Sequence, residues 1–456
     1  MHENYDLELL LELTAQKKYR QLKELLSEMN EVDIAEFMGE VEPEQLVVIF
    51  RLLPRDMAAD VFTYLEDSED QEKLMSVLTD RELRAVLDEL AIDDAVDIIE
   101  DMPANVVSRM LRNTDSATRH QINQLLNYPK DSAGSIMTTE FIYLHPNATV
   151  EESFARIRQV GLDKETVYTC YVTNRRQLLG IVTVKQLLLS SYETRIGDIM
   201  ETNILSVNTH EDKEEVAQLF TKYDLYVLPV VDKDERMVGI ITFDDVMDVM
   251  EEETTEDFEK MAAILPSDKP YLKTGVLETW KSRIPWLLML MLSATFTGII
   301  LTKFENALAA CVVLTSFIPM LTGTGGNSGS QSSVAVIRAL SLGEVEFSDM
   351  LLVIWKEIRV AVLCGVCLAV ANFGKMMLVD RWMMNNPEVT PGVALVVCLT
   401  LVGTVVCAKV VGCTLPMAAE KVGIDPAVMA SPFITTVVDA LSLLIYFGIA
   451  TQVLGL

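Results

Sequence analysis

The charge of this chain is confined to one half of it, and that confinement limits what the chain can fold into more than any other feature. The net charge is −30. From Tyr271 onward there are eleven acidic and eleven basic residues, so residues 1–270 carry the whole excess. A neutral apolar half follows a soluble half that repels itself unless cations neutralise it. Inside the last uncharged stretch, from Ala427 to the C-terminus, stands a single carboxylate, Asp439. An aspartate near the centre of a membrane helix costs at least about 2.5–3.5 kcal/mol and faces a polar interior. A cation as both cargo and signal fits these facts, and so negative a surface excludes nucleic acid as a partner.

Five runs read as membrane spans. Ile284–Thr302 is uncharged and close to the roughly 20 residues a spanning helix needs. The others run from Asn306 to Ile337, from about Trp355 to Leu378, from Pro391 to about Pro416, and through Asp439. Met1–Lys18 is acidic and amphipathic, unlike a signal peptide. The acidic half is therefore expected in the cytosol, with a multi-pass domain in the cell membrane and its lipid. Lys281, Arg283, Arg338, Lys356 and Arg359 flank the expected inner ends, diluted by Lys303 and Arg381. An odd number of spans leaves the C-terminus outside. Cys364 and Cys367 form a CxxC on a span without a partner pair, which reads as small-residue packing. The four histidines are scattered. No catalytic group or zinc site is legible, and the chain reads as a non-enzyme.

Residues 1–130 show apolar positions at three and four spacing, punctuated by Pro43, Pro54 and Pro103, the pattern of an α-superhelix of stacked hairpins. A sharper repeat follows. Ser135-Ile136-Met137-Thr138 recurs as Asp198-Ile199-Met200-Glu201, and Leu179-Gly180-Ile181-Val182-Thr183-Val184 recurs as Val238-Gly239-Ile240-Ile241-Thr242-Phe243. Each copy predicts a β-α-β-β-α order. This resembles a tandem CBS pair over 131–250, with copies at 131–192 and 193–250. The resemblance implies an adenine nucleotide such as ATP on Thr242 and Asp245, while Gln186 replaces the aspartate in the first copy.

From Asp244 to Met261 a helix without Gly or Pro places Asp245, Asp248, Glu252 and Glu256 on one face. Like charges at that spacing destabilise a helix by a few tenths of a kcal/mol per pair. The stretch reads either as a solvated linker or as a helix completed when divalent ions bridge it to an acidic surface. A connecting helix over 251–283, running into the first span, and a pore domain over 284–456 complete the expected architecture.

The second expected span contains Pro319 and the polar stretch Gly323-Thr324-Gly325-Gly326-Asn327-Ser328-Gly329-Ser330-Gln331. Such a stretch reads as an interrupted span, because exposed backbone is tolerated in a membrane only where protein or a water-filled path satisfies it. It marks Gly325, Gly326, Asn327 and Gln331 as pore-lining. One carboxylate per chain is a thin ion site, so a homodimer with Asp439 doubled near the twofold axis is expected. Backbone oxygen at Thr435, one turn earlier, would add ligands. Oxygen-only ligands around a large object suit Mg2+, which keeps several waters.

With these motifs, Asp425-Pro426 and Ser431-Pro432 included, the chain resembles the MgtE family of magnesium channels over nearly its full length. The resemblance implies a homodimer that conducts Mg2+ past Asp439 and is closed by cytosolic Mg2+. The regulatory ligands it implies are Asp224, Asp245 and Asp248 near the CBS pair, and Glu253, Glu256 and Asp257 on the connecting helix. Asp425 would serve on the membrane side and Asp93 or Asp94 in the N-terminal domain. Two other readings stand beside it: a secondary transporter of Co2+ or Mn2+ built on a broken second span, and a nucleotide-sensing membrane receptor. A pair between Asp439 and Lys409 is a further alternative, against which Lys409 is expected to snorkel from the inner end of its span.

Overall fold

In the computed structural model, which describes residues 7–65, 68–267, 271, 272, 274–429 and 431–455, the chain forms two compact units, Met1–Glu251 and Glu252–Leu456.

The first unit opens with short helices, α1 (Leu7–Ala15) to α10 (Ser116–Leu125). Their starts follow from the sequence. Asn30 accepts from the Val32 amide, Thr79 and Glu82 form a capping box, and Asp115 accepts from Ala117 and Thr118. Their apolar faces merge into one core containing Leu22, Ile34, Phe37, Leu46, Phe62 and Leu74. None is long enough to be stable alone, so stacking of successive hairpins supplies the stability.

Two copies of one α/β unit follow. The first contains β1 (Tyr143–Leu144), α11 (Val150–Val160), β2 (Thr169–Asn174), β3 (Gln177–Thr183) and α12 (Val184–Leu189). A one-turn helix, α13 (Ile196–Ile199), leads to the second copy: β4 (Val207–Asn208), α14 (Lys213–Tyr223), β5 (Val227–Val231), β6 (Met237–Thr242) and α15 (Phe243–Met261). Each sheet pairs its first two strands parallel and its last two antiparallel.

The repeated motifs are what join the copies. Thr138 exchanges backbone hydrogen bonds with Ile240 (2.8 and 2.9 Å), and Glu201 does the same with Ile181 (3.0 and 2.9 Å). Each Ile-Met segment thus crosses the last strand of the other copy. The repeated glycines make room for that crossing. A Cβ on Gly180 would lie 2.8 Å from the Glu201 carbonyl oxygen, and one on Gly239 would lie 2.7 Å from that of Thr138.

The connecting helix departs from expectation at both ends. α15 starts at Phe243, capped by Thr242 and Asp245, and stops at Met261. Ala263 adopts a positive φ of 55°. The following Leu265-Pro266 step favours extended backbone, and the next helix among the described residues begins at Val276. The Leu265 amide instead donates to the Ser282 carbonyl at 3.0 Å.

Five long helices dominate the second unit: α16 (Val276–Lys303), α18 (Ile318–Ser341), α19 (Met350–Lys375), α20 (Pro391–Val422) and α21 (Ser431–Leu454), with a short α17 (Glu305–Ala310) between the first two. α16, α19, α20 and α21 are each long and apolar enough to cross a membrane. The expected interruption of the second span is absent, since α18 is helical through the whole glycine-rich stretch. Packing explains this. A Cβ on Gly325 would lie 2.6 Å from Thr404 Cγ2, and one on Gly326 would lie 2.9 Å from Thr435 Cγ2. The glycines let α20 and α21 approach closely, and those contacts stabilise a helix that propensity alone would not. α20 also continues past Pro416 to Val422, where Gly423 closes it with a φ of 77°.

Candidate cation sites

Three groups of carboxylates come from different parts of this fold. In the first unit, α8 (Ile92–Asp101) presents Asp93, Asp94 and Asp97, and the CBS pair adds Glu165, Asp244 and Asp245. These groups disturb one another. Burial, then Asp94 and Glu165, pushes Asp93 up to about 7. Burial, then Asp245, Glu165, Asp244 and Asp60, does the same to Asp94, again to about 7. Asp97 keeps a face in water, yet displacement of water by the surrounding protein, with Asp93 and Asp245, raises it to about 8. Glu165 and Asp245 also reach about 7, each through burial first and neighbouring carboxylates second. Asp93 is 8% exposed, and its Oδ1 is buried without a hydrogen-bond partner.

Asp93 and Asp94, between which the sequence offers no choice, therefore stand in the same cluster. Asp97, which the sequence reading does not single out, follows Asp93 by one helical turn, a signal legible in the sequence. Glu165 lies in a turn after α11 and has no such signal. Asp248 is exposed on α15, and Asp224 is exposed at the left-handed C-cap of α14, with φ 51°.

Asp245 has a local role too. The Thr242 hydroxyl donates to its Oδ2, and the Thr242 amide lies 3.4 Å from the same oxygen. In the first copy Thr183 and Gln186 form the equivalent capping box. The Thr-x-x-Asp pattern thus begins a helix, whatever else it binds.

The second group lies in the second unit, where Lys260 stands among the expected ligands. Its ammonium is 2.6 Å from Glu256 Oε1 and 2.7 Å from Asp425 Oδ2. Burial works against the lysine charge, but the hydrogen bonds it donates to Asp425 and Glu256 outweigh it and raise its pKa. Burial and then Asp425 raise that of Asp257, with Lys260 opposing. Asp425 also accepts the Ala427 amide at 2.8 Å. Glu253 is half-buried on the same helix. Lys260, which the sequence reading does not single out, follows Glu256 by four residues, the ion-pair spacing.

The third group is in the long helices. Asp439 is half-buried on α21 and its Oδ1 is buried without a hydrogen-bond partner. Thr435 precedes it by one turn, so helix geometry commits the Thr435 carbonyl to the Asp439 amide. Gly325 and Gly326, expected to line a path, are instead covered by Thr404, Val438 and Thr435. Gly323, Asn327 and Gln331 are exposed at four-residue spacing along one face of α18. Lys409 neither snorkels nor pairs with Asp439, being buried against Glu357 on α19. Among the described residues no three His, Cys, Asp or Glu side chains are arranged to hold a metal ion.

Family models match in the order of these elements. The MgtE intracellular N domain matches residues 29–131, the CBS domain matches 133–193 and 196–252, and MgtE, a divalent cation transporter, matches 318–449. A helical domain, a CBS pair and a bundle with membrane-length helices define a divalent cation transporter that carries an N-terminal helical domain and a CBS pair. The magnesium transporter MgtE of Thermus thermophilus is 36% identical over 440 residues, covering 95% of each chain. That of Bacillus subtilis is 30% identical, covering 92% of this chain and 93% of the relative. The chain belongs to the MgtE family of magnesium transporters. Its first part is also similar to the cytosolic domain of the Mg2+ channel MgtE in complex with ATP, at 36% identity and a TM-score of 0.51, covering 53% of this chain and 98% of that one.

Proposed function

We propose that this chain imports Mg2+ across the cell membrane as a homodimeric channel and that cytosolic Mg2+ closes it. Transport of Mg2+ follows from the family; the gate rests on the Asp93, Asp94, Asp97, Glu165 and Asp245 cluster. Five carboxyls with pKa values pushed up to about 7 or 8 store repulsion that a divalent cation would relieve. Asp224 and Asp248 in the first unit, and Glu253, Glu256, Asp257 and Asp425 in the second, are the further carboxylates on which ions would bind. Several such sites convert a modest change in Mg2+ into a large shift of population, because each bound ion favours the same compact arrangement.

In the pore, Asp439 would hold a hydrated ion through its uncommitted Oδ1, with Thr435 contributing its remaining carbonyl lone pair and Asn327 and Gln331 lining the approach. Two copies related by a twofold axis would double the carboxylate. The N-terminal unit would face the cytosol and the C-terminus the outside, consistent with the relative described as a cytosolic domain.

A nucleotide role is the second reading. The similarity to a domain solved with ATP and the placement of Thr242 and Asp245 favour ATP at the second CBS motif, where it would modulate the gate. Since Asp245 also caps α15 and belongs to the acidic cluster, nucleotide and Mg2+ would act on one side chain. Flux of Mg2+ into liposomes holding the purified chain, measured against internal Mg2+, tests the channel and its gate together. Flux indifferent to internal Mg2+ would remove the gate, and no flux would remove the channel.

A further inference from the structure

Lys409 is 5% exposed in the middle of α20, and its ammonium lies 3.5 Å from Glu357 Oε2 on α19. The Ser332 hydroxyl of α18 donates to the same Glu357 oxygen at 2.7 Å and lies 3.2 Å from the Lys409 carbonyl oxygen. Three helices therefore meet at one ion pair and one hydroxyl. Ser332 directly follows Gln331, the last residue of the exposed polar stripe on α18.

What surrounds this contact gives it a purpose. One turn before Ser332, Gly329 crosses Gly412 of α20 so closely that a Cβ on Gly412 would overlap the Gly329 carbonyl. Glycine crossings allow close approach but present smooth surfaces, with few side-chain knobs to fix sliding or rotation. Directional, charge-assisted hydrogen bonds supply what such a crossing lacks. Stability is a poor reason to keep the pair, because a well-packed apolar substitute for a buried ion pair is often neutral or stabilising. The pair also separates two carboxylates of the bundle: Glu357 is compensated by Lys409, and Asp439 is left without that ammonium.

We propose that Glu357, Lys409 and Ser332 are positioning residues for α18, pinning it to α19 and α20 beside the Gly329–Gly412 crossing and so setting where Asn327 and Gln331 stand along the ion path. The inference rests on the pore reading, in which the ion path runs past Asp439 with α18 lining it.

The test compares Lys409→Met, Lys409→Arg, the double variant Glu357→Gln with Lys409→Met, and Asp439→Asn, each as the full chain in liposomes. Mg2+ flux per folded protein, the ratio of Mg2+ to Co2+ flux, and the melting temperature are measured. Lys409→Met leaves a buried carboxylate uncompensated and loses flux and stability together. In the double variant the melting temperature returns to within a few degrees of the unmodified chain, while flux stays down by roughly tenfold or the Mg2+/Co2+ ratio shifts by roughly threefold or more. Lys409→Arg keeps the pair and restores both flux and ratio. A double variant that conducts and selects like the unmodified chain would overturn the proposal, since the pair would then serve stability alone. Lys409→Met conducting normally would overturn it as well. Normal conduction by Asp439→Asn would instead remove the pore reading on which the inference stands, and the two failures are told apart in one assay.

Discussion

Replacing Lys260 with methionine should make the gate more sensitive to Mg2+, although it removes an attractive contact. The ammonium is 2.6 Å from Glu256 and 2.7 Å from Asp425, and the three side chains are 22%, 37% and 34% exposed. Partly exposed pairs of this kind are worth about 0.2–1 kcal/mol each after screening, so the two together contribute about 0.4–2 kcal/mol. A divalent ion bridging α15 to Asp425 would use the same oxygens and would first have to displace the lysine. The lysine contact thus stabilises the arrangement with which the ion competes. Methionine keeps the length of the side chain and its packing but cannot donate, so the displacement term vanishes.

A gain of about 0.4–2 kcal/mol corresponds to a roughly 2- to 30-fold lower Mg2+ requirement at that site. The assay is protection of the segment from Ala262 to Gly275 against a protease, titrated with Mg2+, beside flux closure in liposomes. Lys260→Met should move both midpoints to lower Mg2+ by roughly twofold or more, diluted where other sites share the control. At the lowest Mg2+ the variant should be cut faster than the unmodified chain, because it lacks the lysine bridge. A midpoint that stays put or moves to higher Mg2+ would refute the reasoning, for then the ammonium and the ion do not compete for one set of oxygens.

Asp439→Asn should abolish conduction while the folded chain keeps its oligomeric state on gel filtration, since the amide preserves shape and loses charge; flux at the unmodified level would remove Asp439 from the pore. Calorimetry should find about one ATP per chain, lost in Asp245→Ala, because Gln186 spoils the first copy; two sites per chain, or none, would contradict this. The cluster around Asp93 also fixes a pH dependence. Its folded-state pKa values of about 7 to 8 stand above the unfolded values, so its contribution is fully present below about pH 4 and is lost as pH rises through about 7 to 8. Glu82, lowered to about 2 by the Thr79 amide and Arg51, acts in the opposite sense only at acid pH. In chelator, the melting temperature of the first unit should therefore fall from about pH 5.5 to 8.5, and Mg2+ should flatten the fall; a rise with pH in chelator would show that the cluster is not strained.

The sequence carried most of this architecture because its strongest signals are local. The CBS repeat was legible from Gly180 and Gly239, whose spacing reflects a backbone crossing that admits no Cβ. The membrane-length helices were legible as uncharged runs. What failed was the reading of α18. Gly and Pro report a preference of the isolated chain, and the packing of Thr404, Thr435 and Val438 against those glycines overrides it. The end of the connecting helix was missed for the reverse reason, since Pro266 and Gly275 were visible but the acidic periodicity before them drew the helix onward.

The missed site residues share a different cause. A carboxylate was easy to name because it is costly to bury, whereas the cation that answers it is invisible until the fold brings the two together. Lys260 and Lys409 each lie in a sequence context that reads as solvated or snorkelling. Each instead occupies a carboxylate: Lys260 on Glu256 and Asp425, Lys409 on Glu357. These two lysines thus compensate Glu256, Asp425 and Glu357. Asp439, with an oxygen buried and unpartnered, keeps the uncommitted acceptor that the proposed pore role requires.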